Sequence, residues 1–267
     1  MDIKRFTSAI LGFPIVALVL ILGNKILVDI VVAIFAMIAL NEYFNAVSND
    51  CKPVRWVGYA FAVLIAFMHI IPMAMFLKIL LISIPILILL LFSVIIITDM
   101  KVNFNDICFT FFGILYIVIF AGCIPFIYGV ENGKYLIWYL LTASWGTDTF
   151  AYLIGKRYGV HKFSGVSPKK SIEGSIAGIV GAIILSCLYT YGINTFLNAN
   201  YNYGIVIVIS TILSIIGQIG DFAASAIKRY VNVKDFGDLI PGHGGILDRI
   251  DSLIFIAPFA YILLGLL

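Results

Sequence analysis

Charge is scarce in this chain. Only 12% of its 267 residues are Asp, Glu, Lys or Arg, against 62% hydrophobic, and there are three histidines. A water-soluble domain carries about twice that share of charge, so a soluble globule is excluded. Cysteine is thin as well. Cys51, Cys108, Cys123 and Cys187 form no CxxC pair and lie mostly inside apolar runs, so they read as small buried hydrophobes and not as a disulfide or metal framework. Alternation of polar and apolar residues is missing too, which excludes a membrane barrel. The net charge of +3 is too small to point to nucleic acid. What the chain does have is long continuous apolar runs with 21 Phe and 14 Tyr, far too much surface for a disordered chain.

Counting about 20 apolar residues per span places helices near 6–23, 27–47, 56–72, 76–97, 107–129, 135–155, 172–192, 204–226 and 250–267. The expected fold is all-α: a polytopic integral membrane helical bundle of about nine transmembrane helices. The first span follows Lys4 and Arg5 without a small-residue cleavage site after it, so it is expected to be retained. With the N-terminus cytoplasmic, every Lys and Arg except Lys25, Lys78 and Lys134 falls on the inner side, a strong positive-inside bias. The chain divides in this reading into scaffold helices over 1–134 and a catalytic region over 135–267. The cytoplasmic loops 156–171 and 227–249 of the second region are rich in Gly, Lys, Asp and His.

The first half scatters its charges at span ends, as topology signals do. Glu42, in the segment NEYFNAV, reads as an interface anchor with a functional role left open, and His69 as a packed interfacial residue. The second half is different. No charged residue lies between Lys134 and Asp148, which sits inside the sixth span, and Asp221 lies inside the eighth. A charge at mid-membrane costs about 2.5–3.5 kcal/mol on insertion scales, so each needs a cation, a basic partner or water. Asp221, Ser225 and Lys228 fall at i, i+4 and i+7 on one helical stripe. Then come Lys234-Asp235-Phe236-Gly237-Asp238, Pro241-Gly242-His243-Gly244-Gly245 and Asp248-Arg249-Ile250-Asp251. Glycines let backbone amides approach a ligand, and the following helix turns its positive end toward an anion. Carboxylates beside such a loop suit a Mg2+–polyphosphate site. Ser167, Lys169 and Lys170, in SPKKSIEG, are expected to contact nucleotide phosphate, whereas Lys156, Arg157 and Lys162 read as ordinary positive-inside charges.

The segment from Ser225 to Asp251 resembles the signature of the phosphatidate cytidylyltransferases, also called CDP-diacylglycerol synthases. That signature reads S-x-[apolar]-K-R-x4-K-D-x-G-x2-[I/L]-P-x-H-G-G-x2-D-R-x-D, and every fixed position is present here. WGTDTFAYLIGK and SPKKSIEG resemble two further segments of that family. One departure stands out: members often carry an acidic residue at the position of Ala224. The resemblance implies a Mg2+-dependent transfer from CTP to phosphatidic acid, giving CDP-diacylglycerol and pyrophosphate. On this reading Asp221, Asp248, Asp251 and Asp148 are the expected metal ligands, for two cations of which the second could be monovalent. Lys228, Arg229 and Arg249 would meet phosphate charge, with Ser225, Gly242, Gly244 and Gly245 around the nucleotide. His243 is either a proton donor to pyrophosphate or a strut of its turn. The expected partners are CTP, phosphatidic acid and membrane lipid, with no nucleic acid and a homodimer left open. The expected location is a bacterial inner membrane with the site facing the cytoplasm. Two other readings stay open: a CTP-dependent polyprenol or phytol kinase, and a cation-coupled transporter that places Asp148 and Asp221 in the membrane.

Overall fold

A computed structural model describes residues 16–70, 73–163, 167, 170–239 and 244–267. Most of the first expected span, together with Lys169, Gly242 and His243, therefore lies outside the described residues. Among the described residues the secondary structure is helical, apart from one isolated bridge between Lys162 and Ser171. The helices are α1 (16–22), α2 (Lys25–Val47), α3 (Arg55–Leu64), α4 (Met73–Ile97), α5 (Phe104–Gly113) and α6 (Phe120–Gly129). They continue with α7 (Gly133–Tyr158), α8 (Ile172–Leu197), α9 (Tyr203–Tyr230) and α10 (Leu247–Leu264). A 3-10 turn over Ile65–Ile70 extends α3. A π segment over Ile114–Ile119 joins α5 to α6, so Phe104–Gly129 is one continuous helical run.

Four of these helical runs are long and apolar enough to cross a membrane: Lys25–Val47, Phe104–Gly129, Ile172–Leu197 and Tyr203–Tyr230. Shorter apolar helices cover Arg55–Ile70 and Leu81–Ile97. The chain is a polytopic helical membrane protein. α7 and α10 fall outside the apolar set because of their content: α7 is dense in Ser, Thr, Gly and Tyr, and α10 opens with Asp248, Arg249 and Asp251.

The chain folds as two compact units. Unit 1 comprises Met1–Gly129 and Tyr230–Ile250; unit 2 comprises Val130–Arg229 and Asp251–Leu267.

Unit 1 is closed by polar side chains on backbone groups. Asn24 caps α2 by accepting from the Leu27 amide, and Asn103 and Asp106 make a reciprocal capping box at the start of α5. Asp106, which is buried, also accepts from the Lys52 amide at 2.6 Å, tying the α2–α3 connection to α5. Asp29 is fully buried in α2 and accepts both the His69 amide (2.9 Å) and an N–H from the His69 ring (2.5 Å). His69 is thus a strut that fixes the 3-10 turn to α2.

Unit 2 is held by close backbone approach and by hydroxyls. α7 and α8 touch along small residues: a Cβ on Gly146 would stand 2.9 Å from Ala182 Cα, and one on Gly178 would stand 2.9 Å from the Thr147 carbonyl oxygen. Hydroxyl pairs knit the helices: Tyr139 with Thr190 (2.8 Å), Thr142 with Ser186 (3.0 Å), Thr147 with Ser214 (2.6 Å) and Ser144 with Ser252 (3.2 Å). In a medium without water, each such pair satisfies groups that would otherwise be stranded.

Candidate functional site

Within unit 2 the charged residues gather on facing stretches of α9 and α10. Gly220 of α9 lies so close to Phe255 of α10 that a Cβ on it would meet the Phe255 Cβ at 2.5 Å. This crossing sets the neighbouring Asp221 near Asp251. Asp251 is only 6% exposed, and Asp221, Lys228 and Asp148 all lie close enough to act on it electrostatically. Three carboxylates and one ammonium therefore share a region bounded by α7, α9 and α10. Asp251 Oδ1 also accepts from the Ser252 amide at 2.7 Å, which fixes its orientation.

The loop between α7 and α8 is fastened over this region. Its base is a short ladder: the Phe163 amide donates to the Lys170 carbonyl (3.1 Å) and the Ile172 amide to the His161 carbonyl (2.9 Å). Glu173 in the first turn of α8 holds the His161 ring nitrogen at 2.6 Å and the His161 amide at 3.1 Å. Phe163 stacks on Phe222 with centroids 4.9 Å apart, and the Lys170 ammonium lies 4.3 Å from the centroid of the same Phe222 ring. Lys170 then closes an ion pair with Asp221. Of the loop residues expected to meet nucleotide, Lys170 is brought to the carboxylates, and the Ser167 carbonyl accepts from the Lys170 amide at 3.1 Å. Ser225 and Lys228, one and two turns after Asp221, are half-buried on the same helix, and Arg229 is exposed.

Within unit 1 the segment Tyr230–Ile250 is organised by two carboxylates. Asp248 Oδ2 accepts from the Phe236 amide (2.8 Å) and the Gly245 amide (3.0 Å), which clips both ends of the loop to the first turn of α10. Glu42, from the middle of unit 1, accepts from the Ile246 amide (2.9 Å) and the Leu247 amide (2.8 Å). Glu42 is 6% exposed, so the expectation of an interface anchor is corrected: it is buried and bound to backbone. The expectation that the α10 N-terminus faces a ligand anion is corrected as well, because the Glu42 carboxylate occupies it. Gly244 has a φ of +83°, a conformation an L residue adopts only with strain, and Arg249 is exposed.

The metal question turns on numbers of ligands. Among the described residues no three His, Cys, Asp or Glu side chains are gathered closely enough to hold an ion by themselves. Asp221 and Asp251 nevertheless present only hard oxygen donors, and Asp221 already engages a cation in the form of Lys170. That fits Mg2+, which is commonly bound through one or two carboxylates and completed by substrate phosphate and water. Sequence reasoning missed Asp29 and Asp106. Their only signal was their type, a carboxylate beside an apolar run.

Comparison with known proteins follows this geometry. A family model described as "Cytidylyltransferase family" matches residues 3–267. A Staphylococcus haemolyticus protein named phosphatidate cytidylyltransferase is 33% identical over 261 residues, covering 97% of this chain and 98% of its own length. One of the same name from Staphylococcus aureus strain COL is 37% identical over 265 residues, with coverage of 97% and 98%. A Bacillus subtilis protein, also so named, is 36% identical over 184 residues, or 67% of this chain and 66% of its own.

Proposed function

The chain belongs to the cytidylyltransferase family, and from that premise we propose that it transfers the cytidylyl group of CTP to phosphatidic acid, giving CDP-diacylglycerol and pyrophosphate. The observation that carries the proposal is the gathering of Asp221, Asp251, Asp148 and Lys228 in unit 2, with Lys170 on Asp221. Apolar helices have little reason to gather so much charge unless a charged ligand is to be handled there. The names of the full-length relatives supply the substrates.

The phosphate of phosphatidic acid is anionic at neutral pH, so its attack on the α-phosphorus needs no strong general base. The barrier is repulsion between anions and the cost of alignment. Lys170 and Lys228 place fixed positive charge where the triphosphate oxygens would lie. Asp221 and Asp251 would hold Mg2+, with Asp148 in support, and the ion would neutralise phosphate oxygens and organise the leaving pyrophosphate. The half-buried Ser225 hydroxyl stands between Asp221 and Lys228 on α9 to orient a phosphate oxygen. The Phe163–Phe222 stack holds Lys170 over this position. The lysine and arginine bias supports a cytoplasmic site, where CTP is found, in a bacterial inner membrane.

Purified protein in lipid nanodiscs, given phosphatidic acid, Mg2+ and CTP labelled on the α-phosphate, should release pyrophosphate and move the label into lipid. Label in free CDP with phosphate entering lipid from the γ position would overturn the proposal in favour of a kinase. CTP-independent cation flux would overturn it in favour of a transporter.

A further inference from the structure

We propose that Glu42, in the half of the chain otherwise lacking substrate chemistry, is the positioning residue that sets the loop before α10 and the first turn of α10 itself. The proposal deepens the function above, because it rests on the Ser225–Asp251 segment serving that reaction.

Two carboxylate oxygens meet two consecutive amides here. Glu42 Oε1 accepts from Ile246 and Oε2 from Leu247, so the side chain works as a bidentate anion at the positive end of α10. The same carboxylate explains two glycines of the loop. A Cβ on Gly245 would stand 2.3 Å from Oε2, and a Cβ on Gly237 would stand 2.7 Å from Oε1. Neither is required by a left-handed backbone: among the described residues of this loop the positive φ values belong to Asn232 and Gly244. Gly237 and Gly245 are glycines because the Glu42 carboxylate lies against their α-carbons.

The consequence is a division of labour between two acids. Asp248 joins the loop to its own helix through Phe236 and Gly245, and Glu42 joins that loop and helix to α2. Asp248 follows directly on the amides that Glu42 holds, and Arg249 comes next, both in the first turn of α10. A shift of that turn moves both. Misplacement of reacting groups by about 1 Å costs about 100-fold in rate. Glu42 touches no reacting atom on this account; it acts through the backbone it holds.

Three measurements on full-length protein in nanodiscs test this. Glu42→Ala should lower kcat about 100-fold while the KM values for CTP and phosphatidic acid change little, and amide hydrogen exchange at 244–248 should accelerate. Glu42→Gln keeps the shape and one good acceptor, so it should retain an intermediate kcat and folds even if the alanine variant does not. Gly245→Ala should be severe in the wild-type background and nearly silent in the Glu42→Ala background, where the colliding carboxylate is gone. A Glu42→Gln enzyme with wild-type kcat and wild-type exchange at 244–248, or additive effects of Gly245→Ala and Glu42→Ala, would overturn the proposal. If the wild-type protein turns over no CTP, the proposed reaction fails, and the exchange measurements still decide the role of Glu42.

Discussion

The acids that hold unit 1 together and those gathered around Asp251 in unit 2 differ in their partners. In unit 1, Asp106, Glu42 and Asp248 accept from neutral backbone amides, and Asp29 from an amide and an imidazole. In unit 2, Asp221 is met by the Lys170 ammonium, and Asp251 lies among Asp221, Asp148 and Lys228. An amide is a fixed partner, placed by the fold and not exchangeable. An ammonium on a long side chain, or a like charge, is a partner that a ligand can replace or relieve. Acids bound to backbone are fixed by the fold, and acids facing other charges are the ones we propose to serve the reaction.

The largest effect that can test this contrast lies in unit 2. Asp221→Asn should lower kcat about 1,000-fold with the midpoint of thermal unfolding little changed, since the carboxylate is part-exposed and its single ion pair contributes little to stability. Rate assays beside differential scanning in detergent check this. A variant that unfolds early, or that turns over normally at saturating Mg2+, would erase the distinction.

The converse change in unit 1 should be felt as stability. Asp106→Ala strands the Lys52 and Asn103 amides, each held at under 3 Å by the carboxylate, so it should cost about 2–3 kcal/mol. The kcat of the remaining folded enzyme should be close to wild type. Unfolding in a denaturing-detergent titration, with activity normalised to folded fraction, separates the two quantities.

The smallest effect concerns how dry unit 1 is beside Asp106. Burial, reinforced by the charges of Asp106 and Asp50, pushes the Cys51 thiol up to about 11. Raised in the folded state, the thiol stays protonated at neutral pH, and the fold favours that form until the pH climbs through this value. With Cys51 as the only cysteine, iodoacetamide labelling should be slow at neutral pH and accelerate only as the pH nears about 11. Fast labelling at neutral pH would mean that water reaches the α2–α3 connection.

Much of this architecture is legible in the sequence, because a span is mainly a matter of apolar length. The described helical runs fall on the expected spans, and the stripe of Asp221, Ser225 and Lys228 follows from the 3.6-residue period alone. What is not legible depends on contacts distant in sequence. Glu42 near a span end has the look of a snorkelling anchor, and only the fold brings Ile246 and Leu247 to it. The partner of Asp221 is equally hidden: several lysines share the 156–171 loop, and the stacking of Phe163 on Phe222 selects Lys170. The π segment at Ile114–Ile119 has no clear sequence signature, because it is a local register change in an unbroken apolar run.

The contact between Glu42 and the start of α10 spans 204 residues of chain. At an elongation pace of 5–20 residues per second, the acid is made about 10–40 s before its amides exist. Throughout that interval the nascent second helix carries a carboxylate destined for burial with nothing to bind it. A polypeptide cut short before the last helix never receives those amides. The segment around Ile246 and Leu247 therefore completes α2 as well as α10, and products cut short before it should be readily recognised by membrane proteases.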